Sequence, residues 1–134
     1  MENVEYIYTN KRELLALIVR NQFSKDGIKF FTDNKLSQQL AYMKRPSGYA
    51  IVPHTHKPVL RDVNFTLETL FIKRGRIKVT FYEKTGQYVT DRELFEKDVI
   101  LLISGGHGFS FLEESEIVEV KQGPYAEDQD KEYL

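Results

Sequence analysis

At 134 residues, with 41% hydrophobic and 29% charged side chains, the chain suits one domain with one core and is too apolar to be disordered. Its net charge of −1 comes from 19 basic and 20 acidic residues that are interspersed, which excludes the basic stripe of a nucleic-acid-binding surface. It has no cysteine, so disulfides and thiolate metal centres are excluded and any metal must be held by imidazole and carboxylate.

The first residues, MENVEYIYTN, lack the basic stretch and apolar run of a signal peptide. The apolar runs LLALIV and VILLI are too short to span a bilayer. The expectation is a cytoplasmic protein with neither nucleic-acid nor membrane partners. The first element predicted is a helix over NKRELLALIVRNQF, residues 10–23. Asn10 and Glu13 form a capping-box pair, and Leu14, Leu15, Ile18, Val19 and Phe23 follow as a helical stripe that would pack on the outside of a sheet.

After SKDG the pattern changes. QQLAYM, GYAIV, FTLETLFIKR, RIKVTFY, YVTDRELF, DVILLI, FSFL and EIVEV are short and rich in β-branched and aromatic residues. Turn signals separate them: RPSG, RG, EKTG, EKD, SGG and EES. RIKVTFY alternates cleanly, with Ile77, Val79 and Phe81 on one face. Closely spaced short strands without intervening helices predict an all-β sandwich or barrel rather than a parallel α/β sheet. No helix with a basic face is present to act as a DNA-reading element. The acidic tail AEDQDKEYL reads as a solvated end.

The three histidines fall on strands or strand ends beside apolar runs. In AIVPHTH, strand parity puts Ala50, Val52, His54 and His56 on one face, so two imidazoles would project inward on adjacent rungs and could share one ion. In FTLETLFIKRG, Glu68 shares a face with Leu70 and Ile72. If that face is interior, Glu68 is an inward carboxylate whose burial is costly unless a metal or a base compensates it. His107 follows the glycine pair in ISGGHGFSF. Together these residues point to a metal site.

The same residues resemble the two motifs of the cupin superfamily. Gly48, five intervening residues, His54-Thr55-His56, then Glu68, six intervening residues and Gly75 match the first motif, with a longer gap between His56 and Glu68. DVILLISGGH resembles the second, with Asp98 opening it, Gly105 in the turn and His107 as the last ligand. The resemblance spans about residues 37–121. It implies a jelly-roll β-barrel over 37–122, preceded by a helix-bearing segment 1–36 and followed by a tail 123–134. It implies a divalent metal held by His54, His56, Glu68 and His107, and a homodimer. Asp62, in the loop KPVLRDVNFTL, is the alternative carboxylate. The ending EIVEVKQGPY resembles small cupins that accompany enzymes of nucleotide-sugar and surface-polysaccharide synthesis.

Three neutral imidazoles and one carboxylate suit Fe, Mn, Ni, Co or Zn and leave positions open in an octahedral shell. Open positions permit Lewis-acid chemistry, water activation or dioxygen binding. Leu70, Ile72, Phe109 and Phe111 are candidates for the pocket wall, and Tyr42, Arg61 and Asp62 for its mouth. Arg61 could grip a carboxylate or phosphate. No general base stands outside the ligand set. The favoured reading is a small metal-dependent enzyme, isomerase- or epimerase-like, acting on a sugar or sugar-derived molecule. The alternatives are an Fe(II) dioxygenase and a non-catalytic small-molecule binding or sensing module.

Overall fold

The computed structural model describes residues 2–124 and 130–134. Part of the predicted tail, Ala126–Gln129, and Tyr125 of the EIVEVKQGPY ending lie outside the described residues. The described chain is all-β, with β1 (Val4–Tyr8), β2 (Leu14–Val19), β3 (Gly27–Phe30), β4 (Ala41–Lys44), β5 (Glu68–Arg74), β6 (Arg76–Tyr82), β7 (Tyr88–Phe95), β8 (Val99–Leu102), β9 (Gly106–Phe111) and β10 (Glu116–Lys121). It divides into two compact units: Met1–Phe23 with Thr66–Leu134, and Ser24–Phe65.

The first unit holds two antiparallel sheets, ordered β1-β2-β8-β5-β10 and β7-β6-β9. Alternation decides which residues they turn inward. Leu70 and Ile72 of β5, Ala16 and Ile18 of β2, and Ile100 and Leu102 of β8 join Ile77, Val79, Phe81 and Leu94 of the second sheet in one buried cluster. This is a sandwich of two open sheets, and among the described residues no closed barrel forms.

The chain changes sheet at short corners. Between β5 and β6 the turn is Gly75, at φ 103°. A Cβ there would lie 2.1 Å from Ser115 Oγ, whose hydroxyl receives the Arg76 N–H at 3.1 Å. Between β8 and β9 the turn is Gly105, at φ 69°, where a Cβ would meet Leu15 at 2.5 Å and the Tyr82 carbonyl at 2.6 Å. Both positions need glycine for conformation and for space.

The predicted N-terminal helix is a strand. Leu15, Ala16, Leu17 and Ile18 are all buried, and β2 pairs with β1 on one side and β8 on the other. A continuous apolar run buried on both faces suits a central strand, and those pairings outweigh the local helix signal. The capping-box residues lie in the turn before it. There Thr9, not Asn10, supplies the acceptor, its Oγ1 receiving the backbone N–H of Lys11 at 3.2 Å and of Glu13 at 3.1 Å.

The second unit contains the β3–β4 hairpin and the segment 45–65. The loop joining the hairpin is tied by Gln39, which donates to the carbonyls of Asp33 and Leu36 at 2.9 and 2.8 Å. From residue 45 to 67 no strand forms, although GYAIV was expected to be one. Pro46, Pro53 and Pro58 explain the difference, because each lacks the N–H that a ladder requires.

Candidate functional site

The first unit has two contrasting ends. At one, the strand register aligns the start of β5 with the end of β10, so that Glu68 lies opposite Lys121. On the other sheet the start of β9 lies against the end of β6, and His107 is opposite the core residue Phe81. Glu68 and His107 therefore project inward from facing sheets. Glu68 Oε2 lies 3.7 Å from His107 Nε2, with 13% and 31% of their side chains exposed.

Two further groups complete this end. Lys121 Nζ lies 3.4 Å from Glu68 Oε1 and 2.8 Å from Asp130 Oδ2. Asp130 in turn accepts a 2.5 Å hydrogen bond from Thr66 Oγ1. Burial pushes the His107 imidazole below its ordinary value, and Glu68 and Glu119 pull against that shift without cancelling it. The hydrogen bond to Asp130 holds the Lys121 ammonium above its usual range, burial working against it, while Asp130 is held low first by Lys121 and then by Thr66.

On β9, Phe109 and Phe111 share the inward face with His107, being paired with Val79 and Ile77. Because β9 is an edge strand they remain partly open to solvent, and the Phe109 ring lies 5.6 Å from that of His107. Leu70 and Ile72, predicted as wall residues, lie in the core behind Glu68. Lys121, Glu119, Thr66 and Asp130 were not anticipated. EIVEVK shows alternation, but only its register against β5 sets Lys121 opposite Glu68.

The remaining predicted residues belong to the second unit. Tyr42 is on β4, opposite Lys29, and is half-buried. His54, His56, Arg61 and Asp62 are exposed on the strandless segment, so the inward strand parity expected for the histidine pair is not present. The two imidazoles contact each other edge to face at 5.3 Å, and His54 Nδ1 is 2.7 Å from the Val52 carbonyl oxygen. Among the described residues, no three histidine or carboxylate side chains form a metal-binding group. Of the four predicted ligands, Glu68 and His107 are the pair brought together.

No protein-family model, curated protein or solved structure matches the chain.

Proposed function

We propose that the Glu68–His107 end of the sandwich is the functional centre of a metal-binding, cupin-like protein acting on a sugar or sugar-derived molecule. The observation that carries this reading is the inward pairing of a carboxylate and an imidazole from facing sheets, 3.7 Å apart. Such a pair is close to the separation of two donors on one first-row ion, roughly 3 Å for ligands at right angles. The chemistry of the pair fits a divalent metal.

A divalent ion bound there would act as a Lewis acid toward a carbonyl or hydroxyl oxygen. The chain itself supplies the surroundings. Phe109 and Phe111 offer apolar faces on which the C–H face of a sugar ring can pack. Glu119 and Lys121, on the inward face of β10, bring polar groups to the same end for orienting hydroxyls. The neutral imidazole favoured by burial keeps His107 available as a donor to the ion. A homodimer is part of the proposal, supported by the exposed Val118 and Val120 on edge strand β10.

A second reading, a non-catalytic binding module, draws on Lys121, which already neutralises Glu68 without any ion. Metal content separates the two. The untagged protein, purified without chelator or added metal, is expected to carry or take up about one equivalent of Co(II) with the visible absorption of an imidazole–carboxylate shell. His107→Ala and Glu68→Gln are each expected to lose it with the β-structure retained. No uptake by the folded parent protein would sink the metal reading and leave the binding module.

A further inference from the structure

We infer that residues 130–134 form a strap across the Glu68–His107 end of the sandwich, pinned to one sheet through Asp130 and to the other through Leu134, and that the strap must lift for a ligand to reach that pair. The inference takes this end as the functional centre, as above, and concerns access to it. It requires no ion there.

The strap has one polar and one apolar anchor. Asp130 is held beside the five-stranded sheet. Its Oδ2 lies 2.8 Å from Lys121 Nζ, on β10, and its Oδ1 accepts a 2.5 Å hydrogen bond from the hydroxyl of Thr66, just before β5. Leu134 is held on the three-stranded sheet. Gly106 opens β9 opposite Tyr82, and a Cβ placed on it would lie 2.6 Å from Leu134 Cδ1 and 3.5 Å from its Cγ. The leucine side chain thus fills the space that the glycine leaves empty. Gly106 adjoins His107 and Lys121 lies opposite Glu68, so the two anchors flank the pair from facing sheets.

The length of the segment agrees with this path. Packed sheets stand about 10 Å apart, and the four steps from residue 130 to 134 span at most roughly 14 Å when extended. The segment can cross from one sheet to the other with little slack. Two further observations place it over the pair. Glu68 sits at an end of the sandwich, where a carboxylate would ordinarily be wet, yet only 13% of its side chain is exposed. Lys131, the first residue of the crossing, acts on His107: burial leads in holding that imidazole low, and the Lys131 ammonium works in the same direction. Residues 131–134 otherwise face solvent. An exposed crossing with two small anchors can open locally while both sheets stay folded.

The test is diethyl pyrocarbonate labelling of the full-length protein, read by mass spectrometry at each of its three histidines. His54 and His56, exposed in the other unit, are the internal references. Leu134→Ser removes the apolar anchor without changing charge. Gly106→Ala removes it from the other side, because the new Cβ would evict the leucine while the backbone, which has no positive φ there, accepts alanine. Each is expected to speed His107 labelling about fivefold relative to the references, and the double variant no further, since both remove one contact. Gly108→Ala, whose Cβ would meet only Tyr82 Cε2 at 3.9 Å, is expected to leave the rate unchanged. Urea midpoints should stay at the parent value throughout. Unchanged His107 labelling in folded Leu134→Ser and Gly106→Ala would overturn the strap. So would an acceleration matched by Gly108→Ala, or one that appears only with a lowered urea midpoint. Co(II) uptake is a separate readout: the expected labelling pattern in a protein that takes up no Co(II) would leave the strap standing and remove the metal reading alone.

Discussion

Asp98 is fully buried at the end of the sandwich away from Glu68 and His107, and it is the hinge of the charged network there. Its carboxylate accepts hydrogen bonds from the backbone N–H groups of Phe95 and Asn21, from the Asn21 amide and from Arg20 Nη1. Arg20 Nε also donates to Glu5 at 2.6 Å, and Arg92 closes the network on Glu5 at 2.9 Å. The sequence reading gave Asp98 the opening of a cupin motif; in the fold it joins the turn after β7 to the chain after β2. Asp98→Ala would strand buried donors and Arg20, at a cost of about 3–5 kcal/mol, readable as a lower urea midpoint at unchanged slope. Glu5 supplies the pH dependence. Burial would raise its carboxyl, but the bonds from Arg20 and Arg92 prevail and hold it below its ordinary 4.5. Its contribution to stability is therefore complete above pH 4.5 and is lost as pH falls through the depressed value. Relative to the parent, Glu5→Gln should show a constant deficit above pH 4.5 that narrows below it; a deficit independent of pH down to complete acid unfolding would contradict that assignment.

At the scale of elements, strands whose alternation or turn chemistry was unambiguous were legible. RIKVTFY and YVTDRELF are β6 and β7 with those same bounds, and glycines mark the corners at Gly75 and Gly105. β2 was misread because LLALIV supports either a helical stripe or a strand buried on both faces, and only the ladders to β1 and β8 decide. β1 and β3 were missed because VEYIY and GIKF are short and half-polar; their partners define them. Of the candidate site, the inward direction of Glu68 was legible from strand parity, whereas for His54 and His56 the same argument assumed a strand that Pro53 interrupts. The Gly105 corner offers a direct test of how the β8–β9 turn aims His107. Gly105→Ala would force an L-residue to φ 69° and drive its Cβ into Leu15 and the Tyr82 carbonyl. A loss of about 1–3 kcal/mol is expected. Gly86→Ala, at φ 95° in open space, carries the conformational penalty alone and should cost less; equal losses would show that the close contacts at Gly105 do not matter.

For the molecule as a whole, the two units differ in how their backbone is held. In the first, every strand belongs to a sheet of three or more and most contribute to one core. In the second, a two-stranded hairpin is followed by residues 45–65 without a ladder, exposing Tyr49, Ile51, Val52, Val59, Leu60, Val63 and Phe65. Isolated hairpins are marginal, and unpaired exposed backbone is where proteases engage. Trypsin should therefore cut first at Arg61, since Arg45 and Lys57 are each followed by proline. The cut would separate β1–β4 from β5–β10, yet the first unit is built from both sides of it. β2 is hydrogen-bonded to β8 from Ala16↔Leu102 to Val19↔Val99, Arg20 is bonded to Asp98, and Leu15 and Ile18 are in the shared core. The nicked protein should thus co-elute as one species and keep a cooperative melting transition, its fragments separating only in denaturant. Primary cleavage within residues 66–124, or fragments that part on native gel filtration, would mean that the β2–β8 ladder does not bind the N-terminal residues to the rest of the sandwich.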